Sequence, residues 1–283
     1  MDLIGGAKII KNLLKGDGAL IGRFGTTEFG LLYYIENGLE LKEDKRELLE
    51  RVSGVFPCDV DSVKEWAGVY KKAICSADIL ALGWYEPIRE QERSLLKSWG
   101  WRGSAVPLRS IEPYYVSEEN RWTKDLSGGV CVVSSFAETA SEQIKKNIWP
   151  SGMFEESIEW HWVRTGYPPS LALGSAGWET SAESWKEAVD WVVGEVMKTC
   201  ARVVIIGCGG LGMLIGAELK RRGKVCIVMG GAIQVLFGIK GQRWKDHEIR
   251  KFWNSEWVWP AEDETPGGAA EVEGGCYWSS KTA

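Results

Sequence analysis

The sequence predicts an α/β fold of Rossmann-like type, a largely parallel sheet with helices on both faces. Three observations carry the prediction. Short apolar runs recur between stretches of helical period. The runs are apolar at consecutive positions, as in strands buried on both faces. Val203–Ile206 leads through Gly207, Gly209 and Gly212 into the helical pattern Leu211–Arg222, the strand, turn and helix that open many nucleotide-binding units.

In chain order, apolar residues alternate with Lys8, Lys11 and Lys15 in helical rhythm, which is not the pattern of a signal peptide. Ala19–Arg23 is an apolar run ending in arginine and reads as the first strand, followed by the helix Glu43–Val52. Strand Ile79–Gly83, helix Pro87–Ser98 and strand Ala105–Leu108 follow, then strand Gly129–Ser134 and helix Glu138–Asn147. Leu171–Leu173 reads as a short strand. Helix Thr180–Lys198 has the clearest pattern: Thr180 as N-cap with Glu183 three residues on, and one stripe of Ala182, Trp185, Val189, Val192, Val193 and Val196. The last strands are Val203–Ile206 and Val225–Met229. Residues 1–260 read as one Rossmann-like domain, and 261–283 as a C-terminal loop and tail with Cys276, Tyr277 and Trp278 as an apolar anchor.

Composition narrows the function. The 283 residues are 45% hydrophobic and 26% charged, enough for a sizeable core, and a net charge of −5 argues against general affinity for nucleic acid or anionic membrane. The longest uncharged runs, Val203–Ala217 and Val225–Ile239, are glycine-broken and shorter than the roughly twenty residues of a membrane span. Cys58, Cys75, Cys131, Cys200, Cys208, Cys226 and Cys276 form no C-x-x-C pair, so reduced thiols in a cytoplasmic protein are expected. His161 and His247 are far apart and neither neighbours a cysteine pair, which argues against zinc. Sixteen tryptophans are unusual. Most are expected in the core, but Trp99/Trp101, Trp160/Trp162 and Trp257/Trp259 are each two apart, and on an extended segment such a pair offers a flat platform to a sugar ring.

In an open α/β sheet the ligand crevice lies beyond the carboxyl ends of the strands. The residues there are Arg23, Gly25, Thr26, Thr27 and Glu28 after the first strand, and Ser134, Ser135, Glu138 and Thr139 after Gly129–Val133. Gly174, Ser175 and Glu179 follow Leu171–Leu173, then come Gly207, Gly209 and Gly210, and finally Gly230, Gly231 and Gln234. Small hydroxyls, glycines and isolated carboxylates suit a phosphate and sugar pocket, with bare backbone amides at a helix start to grip phosphate. Each feature also has a structural reading. Glycine serves tight turns, serine caps helices, and a carboxylate in a first helical turn complements the dipole. An arginine ending an apolar strand pairs with a phosphate or an internal carboxylate. No acidic residue ends Val225–Met229, where NAD would need one, so NAD is not expected.

The segment Ala19–Phe29 resembles the "ARFGDGE" opening of the GT-D fold glycosyltransferases, formerly a domain of unknown function found in bacterial glycosylation of surface adhesins. Ser134–Thr139, Gly174–Glu179, Gly230–Trp244 and Glu273–Trp278 resemble segments of related uncharacterised proteins. The resemblance implies a glycosyltransferase using a nucleotide-diphosphate sugar, UDP-linked, with a glycan or glycoprotein acceptor, and a D-x-E motif that binds Mn²⁺ or Mg²⁺ and the donor. The match puts Glu28 at the Glu of that motif and Thr26 at its Asp. Loss of a hard carboxylate ligand points to a weak or absent metal requirement, with Glu28 the remaining ligand. Arg23, Lys240, Arg243 and the glycine-turn amides would then neutralise the diphosphate. Glu179 and Glu138 are the candidate bases for an inverting transfer. Two other readings stay open: an NAD(P) oxidoreductase or methyltransferase using the same glycine turn, and a non-catalytic carbohydrate-binding protein.

Overall fold

A computed structural model describes residues 1–146, 148–149 and 152–279. The first half of the chain runs α1 (Leu3–Leu13), β1 (Ala19–Arg23), α2 (Thr26–Glu36), α3 (Glu43–Ser53), α4 (Val60–Ser76), β2 (Ile79–Ala81), α5 (Arg89–Ser98), β3 (Ser104–Val106) and α6 (Leu108–Ile111). The second half runs β4 (Gly128–Ser134), α7 (Ala137–Gln143), β5 (Ile158–Arg164), α8 (Pro169–Ala172), α9 (Trp185–Met197), β6 (Val203–Gly207), α10 (Gly212–Arg221), β7 (Val225–Val228) and α11 (Ala232–Leu236). The seven strands form one sheet in the order β3-β2-β1-β7-β6-β4-β5, with every pairing parallel. The expected α/β class and parallel sheet are both present.

Period-two alternation sorts strand side chains into two cores. Leu20, Leu80, Cys131, Val133, Val204, Ile206, Cys226 and Val228 face one way, under α2, α4, α9 and α10. Ile21, Ile79, Ala81, Val130, Val132, Val203, Ile205, Val225 and Ile227 face the other, against α1, α6 and α11. Both faces are therefore covered, which is why the strands read as unbroken apolar runs.

Several expected elements differ. Leu171–Leu173 is not a strand: Pro169 at the first helical position starts the single turn α8, which ends with Leu173 left-handed at φ 46°. The edge strand beside β4 is instead Ile158–Arg164, which holds Trp160 and Trp162. Helix Thr180–Lys198 starts later, at Trp185. The S/T-x-x-E spacing occurs twice here, and Ser184, whose Oγ accepts from Glu187 N, caps in place of Thr180. The long helix α4 is absent from the prediction, although Asp59 caps it and Val63, Trp66, Ala67, Tyr70, Ala73 and Ile74 give it a buried stripe. Helix Glu138–Asn147 shortens to α7, and Asn147 lies outside the described residues, as do residues 280–283 of the predicted tail.

Residues 262–278 fold back as short 3₁₀ turns. Gly268 N donates to Leu171 O at 2.8 Å, and Trp278, fully buried, donates from Nε1 to Glu264 O at 3.2 Å. No helix among the described residues is long and apolar enough to cross a membrane.

Candidate functional site

The sheet topology fixes where a crevice can open. From β4 the chain leaves toward β5, and from the adjacent β6 it leaves toward β7, so loops diverge at their carboxyl ends. A cavity of about 550 Å³ lies there, within the usual range for small-molecule sites. It takes in Arg23 from β1, Ser134 and Ser135 at and just after the end of β4, Gly207 and Gly209 at and just after the end of β6, and Gly230 and Gly231 after β7. Gly25, Thr26, Thr27 and Glu28 from the start of α2 line it, and so does Arg243.

Arg23 is the cation that matters most. Its guanidinium lies 5.1 Å from the Trp84 ring, and Nη1 donates to Phe24 O at 3.3 Å. Among the described residues no carboxylate lies within ion-pair distance of it. Gly230, at φ 59°, makes room, since a Cβ there would meet Arg23 Nη2 at 2.8 Å. The other cavity cations are partnered. Arg109 pairs with Glu112 at 2.5 Å and with Glu248 at 3.2 Å, and it covers the Tyr115 ring at 4.0 Å. Arg243 donates to Tyr277 Oη at 2.6 Å and lies 3.6 Å from Glu273. Burial opposes its charge, but Tyr277, Cys276 and Glu273 more than offset this and hold it above the ordinary arginine value.

Among the described residues three carboxylates line the cavity. Burial pushes the Glu112 carboxyl up despite Arg109, and Glu273 is tied to Arg243. Glu28 is 6% exposed with no cation partner among the described residues. It folds back over the first turn of α2, so that a Cβ at Gly25 would meet its Oε2 at 1.7 Å. Glycine at 25 is thus required by Glu28. His247 also lines the cavity; burial and then Arg109 lower its pKa, and its Nδ1 accepts from Ile249 N at 3.3 Å, which leaves the proton of the neutral ring on Nε2.

The glycine turn has a packing explanation throughout. A Cβ at Gly207 would meet Ile233 Cγ2 at 2.4 Å, one at Gly209 the Ser53 carbonyl at 2.5 Å, and one at Gly210 Val55 Cγ2 at 2.8 Å. Gly207 and Gly209 still reach the cavity, whereas Gly210 is buried beneath Ser53 and Val55, and its carbonyl accepts from Trp66 Nε1.

Other expected site residues lie off the cavity. Glu179 and Glu138 are exposed, and Glu138 is 3.4 Å from Arg164. Ser175 Oγ donates to Thr265 O at 3.1 Å and to Ala172 O, and the neighbouring Gly174 is left-handed at φ 90°. Buried Gln234 donates to the carbonyls of Lys240 and Tyr277 at 2.8 and 2.7 Å, clamping the last turns onto α11. Lys240 lies 5.8 Å over Trp253. Of the three serines that line the cavity among the described residues, Ser134 Oγ accepts from Phe136 N, Ser135 Oγ accepts from Tyr167 Oη, and Ser53 Oγ is buried without a hydrogen-bond partner.

The tryptophan pairs are not the cavity's aromatics. Trp160 and Trp162 stack at 5.7 Å but pack on Phe237, and Trp257 is core. Trp84, Trp178 and Trp244 line the cavity instead, with Tyr167 and Tyr277. Their chain positions share no period, so spacing alone does not find them. For a divalent ion the cavity offers Glu28 and the hydroxyls of Thr26 and Thr27; among the described residues no three His, Cys, Asp or Glu ligand atoms converge there. One carboxylate fits Mg²⁺ only if substrate phosphates supply further oxygens.

No family model matches the chain, and no curated protein matches it. Among solved structures it is similar to a selenomethionine-substituted structure of domain of unknown function 1792, at TM-score 0.45 and 12% identity over 82% of this chain and 78% of that one. It is also similar to a structure described as the highly conserved domain of unknown function 1792 with a distinct glycosyltransferase fold, at TM-score 0.49 and 12% identity over 99% of this chain and 90% of that one.

Proposed function

We propose that the chain is a glycosyltransferase that moves a sugar from a nucleoside diphosphate donor, with UDP as the nucleotide, to a hydroxyl of a glycan or glycoprotein. The observation that carries the reading is Arg23, a half-buried guanidinium without a carboxylate partner among the described residues, at the carboxyl end of a central strand and facing an aromatic-lined cavity. Such a cation calls for an external anion, and a phosphate matches its planar fork of donors. Arg243 lines the same cavity, so the segments Ala19–Phe29 and Gly230–Trp244, which carry the sequence resemblance, meet there.

In this reading Arg23 holds the diphosphate with help from Arg243 and the open part of the Gly207–Gly209 turn. Trp84 and Tyr277 offer faces to the base or the sugar. As the bond from the anomeric carbon to the diphosphate breaks, negative charge accumulates on the leaving oxygens, where a fixed guanidinium stabilises it without reorganisation. The acceptor oxygen bonds to the anomeric carbon and its proton needs a base. Glu28 takes that role in place of Glu179 and Glu138, because it is the cavity carboxylate with no cation partner among the described residues. The Thr26 and Thr27 hydroxyls, with one carboxylate oxygen of Glu28, would hold a divalent ion beside the donor phosphates, where it would supply Lewis-acid stabilisation of the leaving group; the other Glu28 oxygen would remain to take the acceptor proton.

A thermal-shift panel of UDP, GDP, NAD and S-adenosylmethionine tests the ligand class, since a ligand of the folded state raises its stability. Stabilisation by a nucleoside diphosphate, with slow release of free sugar from its sugar conjugate, is the expected result. Stabilisation by NAD or S-adenosylmethionine alone, or glycan binding without nucleotide binding, would overturn the proposal.

A further inference from the structure

Far from the cavity along the strand direction, three metal-ligating side chains of different chemistry meet near the amino ends of β4 and β5. Glu159 and His161 are two apart on edge strand β5 and so share one face, the face that also carries Cys131. Cys200 comes from the turn between α9 and β6. That turn is braced: Thr199 Oγ1 donates to Val196 O at 2.7 Å and accepts from Ala201 N at 3.2 Å, and Arg202 N donates to Gly129 O at 3.0 Å. The turn lies close against Gly129, where a Cβ would meet Ala201 Cα, Cys200 O and Cys200 Sγ, each at 2.9 Å.

The geometry points to a zinc site formed by Glu159, His161 and Cys200. His161 Nε2 lies 3.1 Å from Cys200 Sγ and 3.4 Å from Glu159 Oε1, and all three ligand atoms fall within 4.8 Å of one another. Tetrahedral zinc, with bonds of roughly 2.3 Å to sulfur and 2.0–2.2 Å to nitrogen and oxygen, separates its ligands by about 3.4–3.6 Å, near the two distances from His161 Nε2, and small side-chain rotations would bring the third into line. The arrangement is not a catalytic relay. In a nucleophile–histidine–acid relay the acid holds one ring nitrogen and the nucleophile the other. Here thiol and carboxylate both approach Nε2, so three donors converge on one point.

Thiolate with imidazole excludes Mg²⁺ and Ca²⁺ and suits Zn²⁺. On binding, the thiol proton leaves to solvent and the thiolate takes its place on the metal; three protein ligands leave the fourth position to water. Histidine and cysteine are 39 residues apart in sequence, which is why spacing argues against zinc while the parallel pairing of β4 with β5 and β6 creates the site. The bound ion would tie the edge strand to the α9–β6 turn.

The test is Zn²⁺ titration against a chromophoric chelator, and Co²⁺ substitution read by absorption, on the wild-type chain and on Cys200→Ser, His161→Gln and Glu159→Gln. One equivalent of Zn²⁺ is expected, with at least about tenfold weaker binding in each variant, since a lost ligand matters no less than a lost outer-shell partner. The Co²⁺ complex should show a near-ultraviolet sulfur-to-cobalt band that Cys200→Ser lacks and Glu159→Gln keeps. Failure of the wild type to bind Zn²⁺, or a band of equal strength in Cys200→Ser, overturns the site. Glu159 and Cys200 are exposed, and metal-free melting of each variant guards against misfolding.

Discussion

Replacing Arg23 by alanine should separate ligand binding from stability. Arg23 has no carboxylate within ion-pair distance among the described residues, and buried Glu112, on which it acts at longer range, keeps Arg109, so the cost to folding comes chiefly from its contact with Trp84 at 5.1 Å and its hydrogen bond to Phe24 O at 3.3 Å. A cation over an aromatic face at a partly exposed site is worth about 0.5–1 kcal/mol and a long, half-exposed hydrogen bond about 0.5 kcal/mol, so the unfolding free energy should change by no more than about 1.5 kcal/mol. Binding is affected far more. A hydrogen bond to a charged group contributes about 1.5–3 kcal/mol, which converts to a loss of about 10–150-fold in affinity for UDP. Arg23→Lys keeps the charge but not the fork and should fall between. Calorimetric titration with UDP and with inorganic diphosphate at two salt concentrations, beside urea unfolding of each variant, measures both quantities. Unchanged affinity in Arg23→Ala would refute the reasoning, as would a loss of stability on the scale of a core deletion.

Further substitutions probe the site and its frame. Glu28→Gln should lower transfer by about 10²–10⁴-fold, the range for a general base, while Glu179→Gln leaves kcat within a few fold; a donor-turnover assay showing the reverse returns the role to Glu179. Gly207→Ala drives a Cβ against Ile233 and the Gly230 carbonyl and should cost about 1–3 kcal/mol in urea unfolding without any ligand present; a neutral change would mean the turn is free to move. Trp278→Ala removes a fully buried ring and its bond to Glu264 O, with an expected loss of about 3–5 kcal/mol; a loss under about 1 kcal/mol would show the last turns to be dispensable for the core. Burial, against hydrogen bonds from Thr139 and aided by nearby Glu138, raises the Glu264 carboxyl from 4.5 to about 7. The folded chain then holds this proton longer than the unfolded one, so stability falls as pH rises from about 4.5 to about 7, by at most about 3 kcal/mol, and levels above that. Glu264→Gln should flatten this part of a stability-against-pH curve.

Much of the frame was legible because local pattern and tertiary role agree. Strands buried on both faces must be apolar throughout, and β1, β4, β6 and β7 are. Strand β5 was harder to read. It lies at the sheet edge, and Ile158–Arg164 mixes Glu159, His161 and Arg164 with its aromatics, so it lacks the unbroken apolar signal. Leu171–Leu173 misleads because three apolar residues fit a helical turn as well as a strand. At the site, the rule that ligands gather beyond strand ends finds Arg23, Gly25 to Glu28, Ser134, Ser135 and Gly230. It fails for Glu138 and Glu179, since a residue a few positions into the following helix or loop can rotate away from the crevice. Trp84, Glu112 and His247 arrive on irregular segments between elements and Arg109 on the single turn α6, where neither period nor spacing marks them.

The cavity takes Arg23 from the first strand and Glu273 and Tyr277 from turns held to α8, α11 and the rest of the fold by Gln234, the Leu171 and Ala172 carbonyls and Trp278. Turns that pair with no strand detach at lower free energy than the sheet does, even with Ala269, Val272 and Trp278 in the core. Any molecule that touches Tyr277 binds the docked form better than the detached one, so occupancy and docking reinforce each other. Hydrogen exchange at residues 262–278 should therefore slow on saturation more than exchange in the strands, and the closing flap of the fold becomes a gauge of whether the site is filled.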